Sequence, residues 1–335
     1  MDATLRLIET QPYGRPFSLA PQVKALFRPA GHILGSASAE MQIADASPEG
    51  AYRVVFSGDL GRWDHPILRD PEPVFEAQTL LIESTYGDRV HPAGSQKRLG
   101  EIIRETVGRG GCIVIPAFAI GRTEEIVWMI RQLEDRGEIP IVPLYVDSPM
   151  AVNGIEIYSR HPEDHDLAMS ELLKKGINPL SCRDFHLVRT VEESKRLNQI
   201  SGPMVIISSS GMATGGRVLH HLKHRLPDPK NTVILAGFQA AGTRGRALQE
   251  GARTVRIHGE DVPVRASVEI VEGLSAHADR EEILRWLSFF KKPPQQVFVV
   301  HGETHSADSL AETIRRKLGW NARAARDGET VKLGV

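Results

Sequence analysis

Five positions in this chain place a histidine or a carboxylate at the end of a short apolar run. His32 lies in Gly31-His32-Ile33-Leu34-Gly35-Ser36-Ala37-Ser38, a turn of small residues where the backbone can approach closely and an imidazole can face a ligand. Asp59 follows an apolar run in Phe56-Ser57-Gly58-Asp59-Leu60-Gly61, and Glu83 repeats the arrangement in Leu81-Ile82-Glu83-Ser84-Thr85-Tyr86-Gly87-Asp88. His277, in Ser275-Ala276-His277-Ala278-Asp279, and His301, in Val300-His301-Gly302-Glu303, complete the set. Taken singly, each has an ordinary reading. His32 is then a satisfied turn histidine, Asp59 an Asx turn, Glu83 a capping or paired acid, and His277 a residue packing the start of the next helix. Five together point to one shared site.

The elements that must position these residues are β-rich at first. Short apolar or alternating runs at 23–31, 38–44, 52–58 and 79–84 are separated by Pro and Gly, with a hairpin turn expected at Ser47-Pro48-Glu49-Gly50. From about Gly94 the pattern changes to βα alternation. A helix is expected at 96–107, then a strand through CIVIPAFAI (112–120), a helix at 122–135 and a strand through IPIVPLYV (139–146). A capping box at Thr190 and Glu193 opens another helix, followed by a strand at 204–210, a helix at 216–225 and a strand at 232–238. Asp279 and Glu282 form a second capping pair, ahead of a strand at 297–302, a helix to Gly319 and a hairpin at Asp327-Gly328. A mostly parallel sheet covered by helices follows from this rhythm.

Composition narrows the chemistry. The 335 residues are 41% hydrophobic and 25% charged, the proportions of a globular protein of about two domains. Lys plus Arg number 41 against 42 acids, so no global field draws the chain to nucleic acid or an anionic membrane, although a local basic groove remains open. No apolar run approaches the ~18 residues of a membrane span, and the opening segment reads as neither signal nor transit peptide, so a cytoplasmic location is expected. The two cysteines, Cys112 and Cys182, are too few for a disulfide framework or a Cys-rich zinc site and read as structural. A metal would have to be held by histidine and carboxylate, and 13 histidines are present.

In their order and spacing these segments resemble the β-CASP branch of the metallo-β-lactamase nucleases, which includes the endonuclease subunit of the pre-mRNA 3′-end cleavage machinery and its prokaryotic relatives. The similarity runs from about Ala25 to Lys332. It implies an α/β fold: a metallo-β-lactamase αββα sandwich, N-terminally truncated, formed by residues 1–87 and 276–335, with an α/β β-CASP domain inserted at 88–275. It further implies that His32 is a ligand of one zinc, that Asp59 bridges two zincs and serves catalysis, and that His301 is a ligand of the other zinc. His277 would be the general acid and Glu83 the carboxylate that orients it. Relatives acting on DNA generally lack a histidine at the position of His301, so RNA is the implied substrate. The family's first ligand cluster, His-x-His-x-Asp-His, has no counterpart in this sequence. The chain is therefore expected to be a fragment, with a partial or empty zinc site and weak activity or none. His161-Pro162-Glu163-Asp164-His165 has the wrong spacing and reads as a solvated loop.

A second constellation suits a phosphate-bearing polymer. In Ser208-Ser209-Ser210-Gly211-Met212-Ala213-Thr214-Gly215-Gly216-Arg217, the residues Ser209, Ser210, Gly211, Thr214, Gly215 and Arg217 follow an apolar strand and open a helix. Arg244 and Arg246, with His220, His221, Lys223, His224 and Arg225, would wall the path positively, or else form solvated faces. The expected function is zinc-dependent RNA phosphodiester hydrolysis, with RNA as partner, no membrane and a homodimer as a candidate assembly. A non-catalytic RNA-processing scaffold and a small-molecule metallo-hydrolase are the alternatives; intact motifs argue against the first, and the long insertion against the second.

Overall fold

The structure is a computed structural model describing residues 2–47 and 50–333. Two compact units divide it, Met1–Val90 with Ala276–Val335, here called the core unit, and His91–Ser275, the inserted unit. No helix among the described residues is long and apolar enough to cross a membrane.

The core unit begins with β1 (Phe17–Ala20), β2 (Val23–Pro29), β3 (Ala37–Ser47), β4 (Gly50–Phe56) and β5 (Thr79–Glu83). Pro48 and Glu49 of the expected hairpin turn lie outside the described residues. The inserted unit carries β6 (Cys112–Pro116), β7 (Leu144–Asp147), β8 (Phe185–Leu187), β9 (Met204–Ser208), β10 (Thr232–Leu235), β11 (Thr254–Ile257), β12 (Glu260–Pro263) and β13 (Ser267–Ile270). The chain then returns to the core unit with β14 (Gln296–Val300) and β15 (Ala322–Ala324).

In the core unit one mixed sheet runs in the order β1-β2-β3-β4-β5-β14-β15, antiparallel through β4 and parallel from β4 to β15. Side chains alternate across it, so Leu80 and Ile82 of β5 and Val297 and Val299 of β14 share a face. Helices Arg280–Leu287 and Thr304–Leu318 close a core on that face with Ile283, Trp286, Leu287, Leu310 and Ile314. The first helix starts where the sequence places it. Asp279 accepts from the Glu281 and Glu282 amides at 2.9 and 3.0 Å while Glu282 Oε2 accepts from the Asp279 amide. The second ends on Gly319 in the left-handed conformation at φ 70°.

The inserted unit holds a six-stranded parallel sheet, β13-β10-β6-β9-β7-β8, and the separate β11-β12 hairpin. Every residue of β6, β9 and β10 is buried, as a parallel sheet covered on both faces requires. Several boundaries differ from expectation. The strand at CIVIPAFAI stops at Pro116, and IPIVPLYV is extended only from Leu144, because Pro140 and Pro143 cannot donate to a central ladder. The β11-β12 hairpin and helices Pro149–Arg160 and Leu167–Lys174 are not among the expected elements, although each carries a local signal: Ser148 and Asp166 accept from the Ala151 and Met169 amides at 3.3 and 2.6 Å as N-caps, and the hairpin turns on His258-Gly259, both at positive φ. At Asp327-Gly328 there is a turn but no second strand among the described residues. His161 pairs with Glu163 at the surface, whereas His165 is buried with Nε2 2.8 Å from Tyr158 O, so that segment is not wholly a solvated loop. Cys112 and Cys182 are buried, and burial raises both thiols above their ordinary pKa.

Candidate active site

All five residues converge within the core unit, His32, Asp59, Glu83 and His301 at or just after strand ends, whereas His277, expected at the end of a strand, lies in the loop ahead of helix Arg280–Leu287. The turn after β2 carries His32, with Ser36 Oγ accepting from the His32 and Ile33 amides at 3.1 and 3.2 Å. The loop after β4 carries Asp59 and is drawn against that turn by Gly61, whose amide donates to Ala30 O at 2.7 Å. A β-carbon on Gly61 would overlap Gly31 O and lie 2.7 Å from the His32 amide, so only glycine permits this approach. Asp59 thereby offers one oxygen to each of two histidines: Oδ2 is 3.9 Å from His32 Nε2 and Oδ1 is 3.1 Å from His301 Nδ1.

Glu83 ends β5 and is almost fully buried. Its Oε1 accepts from the Leu60 amide at 2.7 Å and faces His277 Nδ1 at 3.1 Å, while Oε2 accepts from the Thr85 amide at 3.2 Å. Such partners offset the cost of burying a carboxyl group. The Glu83 amide in turn donates to Ser57 Oγ at 3.0 Å, which locks the ends of β4 and β5 together. His277 lies on a short bridge to Gly61 and its ring centroid is 4.2 Å from that of His32 and 5.8 Å from that of His301. His301 follows β14 with φ 53°, a left-handed backbone seldom taken by a non-glycine residue and concentrated at functional sites. Its Nδ1 lies 3.3 Å from Thr85 Oγ1, and Thr85 Oγ1 donates to His301 O at 3.2 Å. Thr85 and Ser57 are site residues that sequence reasoning did not single out, although both lie inside the quoted segments.

The cluster fits a metal ion. His32, Asp59 and His277 offer ligand atoms within 4.8 Å of one another, and so do Glu83, His277 and His301. His32 turns Nε2, the atom that would ligate, toward Asp59 at 3.9 Å, and a hydrogen bond to the Ala276 backbone helps to fix its ring. Burial, with His277 adding, pushes the His32 pKa down to about 4, which keeps the ring in the neutral form that ligates.

The Ser/Gly segment lies in the inserted unit and is internally braced. Ser210 Oγ accepts from the Thr214 amide at 3.0 Å and lies 3.0 Å from Thr214 Oγ1, while Ser209 Oγ is buried without a partner. Arg217 is turned inward, donating to Asp147 Oδ1 at 2.7 Å and to Arg189 O at 3.0 Å. Arg244 donates through Nε to Arg256 O at 2.6 Å and through Nη1 to Thr214 O at 3.1 Å. Both arginines therefore fix the loop's shape. Helix Val218–Arg225 starts two residues later than expected, and its first amide donates to Ser209 O at 3.4 Å. His221 and Arg225 of this helix are buried, His221 against Asp147 Oδ2 at 2.6 Å and Arg225 against Leu197 O and Ile200 O, so neither forms part of a positive wall. Asp147, which no sequence signal distinguished from any other strand-end acid, is the hub of this region.

Comparison with known proteins gives two family patterns. The Beta-Casp domain matches residues 123–248, and the Zn-dependent metallo-hydrolase RNA specificity domain matches residues 261–325. Ribonuclease TTHA0252 of Thermus thermophilus is 38% identical over 309 residues, covering 92% of this chain and 69% of that protein. Transcription termination factor FttA of Methanosarcina mazei is 34% identical over 333 residues, covering 96% of this chain and 51% of that protein. FttA of Pyrococcus horikoshii is 33% identical over 335 residues, covering 97% and 50%. The chain thus spans about half the length of these FttA relatives.

Proposed function

Because the chain belongs to the β-CASP family of metallo-β-lactamase-fold ribonucleases, we propose that it serves zinc-dependent hydrolysis of RNA phosphodiester bonds. The observation that carries this reading is the meeting of His32, Asp59, Glu83 and His301, after β2, β4, β5 and β14, with His277 from the loop ahead of helix Arg280–Leu287, Glu83 gripping His277. His32, Asp59 and His301 would hold zinc, two ions being the proposed complement because Asp59 offers one oxygen toward each histidine. When bound, zinc activates water at neutral pH and neutralises charge on the scissile phosphate.

The remaining demand falls on side chains. Glu83 holds Nδ1 of His277 and fixes the ring plane, which leaves Nε2 to deliver a proton to the leaving ribose oxygen. Ser209, Ser210, Gly211, Thr214 and Gly215 hold the RNA backbone, with Arg217 and Arg244 keeping that loop in shape. A relative named as a ribonuclease and an RNA specificity pattern over residues 261–325 support RNA as the substrate class. Three ligands shared between two ions leave each with about two from this chain, fewer than a dinuclear site needs, so slow cleavage is proposed for the chain by itself.

Single-turnover cleavage of an end-labelled RNA, with zinc added and then chelated, tests the reading. Slow, zinc-dependent cleavage is expected. RNA binding without any zinc-dependent cleavage at protein excess would overturn the enzyme in favour of a scaffold, and failure to bind RNA would overturn both.

A further inference from the structure

Phe118 follows the fully buried strand β6, yet its own side chain is 49% exposed. Its backbone is held on both sides. The Ala117 amide donates to Ser208 O at 3.0 Å, keeping the ends of β6 and β9 level, and Thr123 Oγ1 donates to Phe118 O at 2.8 Å. The ring rests against Gly211 in the Ser/Gly loop: a β-carbon there would come 3.0 Å from Phe118 Cδ2 and 3.1 Å from Cε2. Glycine at 211 is therefore what admits the ring, and the ring's place beside the loop is set by backbone contact rather than by a flexible side chain. Leaving half of a phenylalanine in water costs burial free energy that the fully apolar neighbours Ile115 and Ala117 do not forgo. A nucleotide matches this surface, since its phosphate suits amides and hydroxyls while its base suits an aromatic face.

We propose that Phe118 is a stacking platform for one RNA base, beside the phosphate held by the loop from Ser209 to Gly216. The inference rests on the reading of that loop as an RNA contact and adds to it the group that receives a base. Because every base has a π-face, the platform is tolerant of sequence and contributes grip rather than readout.

The test compares a fluorescein-labelled uridine oligomer with an oligomer of the same ribose-phosphate backbone lacking bases, binding each on ice to the parent chain, Phe118→Leu, Phe118→Trp and Ser210→Ala. Loss of stacking should weaken Phe118→Leu on the uridine oligomer by about 5- to 150-fold, with Phe118→Trp binding as the parent does. On the baseless oligomer all three residues at 118 should bind alike. Since both oligomers are read on the same variant, a general loss of stability cannot imitate this pattern. If Ser210→Ala weakens both oligomers while Phe118→Leu weakens neither, the platform is overturned and the loop reading stands. If neither variant changes binding, the loop reading fails and the platform with it. An equal loss on both oligomers in Phe118→Leu would also overturn stacking, and would fit an apolar contact with a protein partner better.

Discussion

In the inserted unit every residue of β6, β9 and β10 is buried, whereas β4 of the core unit mixes exposed and buried positions and ends on Phe56 at 39% exposure. The two sheets differ in what they can do alone. A parallel sheet with helices on both faces gains its stability from apolar burial, which depends little on pH or ions. The core unit instead gathers three histidines and two carboxylates at or near its strand ends, where burial of polar groups must be offset by pairing or by a metal. On the proposed function, chemistry falls to the unit with polar groups gathered for a ligand, and grip to the unit whose central strands are wholly buried.

The strongest way to break this contrast is to remove the proposed acid. His277→Ala should lose on the order of 10² to 10⁴ in single-turnover rate at saturating zinc, the usual contribution of general acid-base catalysis, while RNA affinity stays at the parent value. If RNA affinity falls as far as the rate, the division of labour between the units is wrong. The bland alternative, that His277 merely packs the start of helix Arg280–Leu287, predicts instead a lower melting temperature with the rate unchanged.

Zinc should then stabilise one unit and not the other. Ligand at ~100 times its dissociation constant adds about 2.7 kcal/mol to the unit that binds it. Chelation should therefore lower the melting transition of the core unit, which holds Trp63, Trp286 and Trp320, and leave the inserted unit, with Cys112 and Cys182, where it was; the fluorescence is read in a Trp128→Phe background, because Trp128 lies in the inserted unit. Thiol labelling reports the second unit cleanly because both cysteines are buried in the fold. Equal shifts in tryptophan fluorescence and thiol exposure would sink the contrast. Within the core unit, Glu83→Gln keeps the shape but turns an amide donor toward one of three groups that donate to or face Glu83, so a loss of about 1–3 kcal/mol is expected in the same transition.

How much of this was legible follows residue by residue. His32, Asp59, Glu83 and His301 could be read because each sits where a strand of the mixed sheet stops, and such ends are where side chains from distant segments meet; His277 could be read from its place just before the capping pair Asp279 and Glu282. The capping boxes at Thr190 and Asp279 were legible for a local reason, since spacing alone determines them. His221 and Arg225 read as basic wall or solvated residues by type, yet helical spacing puts them on the buried stripe of Val218 and Leu222. Arg217, Asp147 and Phe118 were beyond reach, because a long-range ion pair and an exposed ring beside Gly211 depend on which loops the sheet order brings together. Periodicity within one element does not contain that order.

The smallest expected effect sharpens the contrast from the other side, by asking whether the inserted unit is as indifferent to pH as its sheet suggests. Glu124, in helix Arg122–Asp135, is completely buried with neither carboxylate oxygen partnered, whereas Arg122 beside it is paired with Glu125. Its Oε1 lies where a β-carbon on Gly154 would come to 2.7 Å, so the carboxyl is wedged between two helices. Burial pushes its pKa up to about 8, with amides at the helix start opposing weakly. A raised carboxyl pKa means that the folded state keeps a proton the unfolded chain has already lost. Stability therefore falls as pH rises from the ordinary carboxyl range to about 8, and flattens above it. Between about pH 7 and 9 the parent should lose about 1 kcal/mol that Glu124→Gln, neutral throughout, does not lose. Thiol labelling of Cys112 and Cys182 in increasing urea, at both pH values, measures this in the inserted unit alone. Parallel curves for parent and Glu124→Gln would mean that Glu124 finds a partner in solution, and the inserted unit would then be indifferent to pH after all.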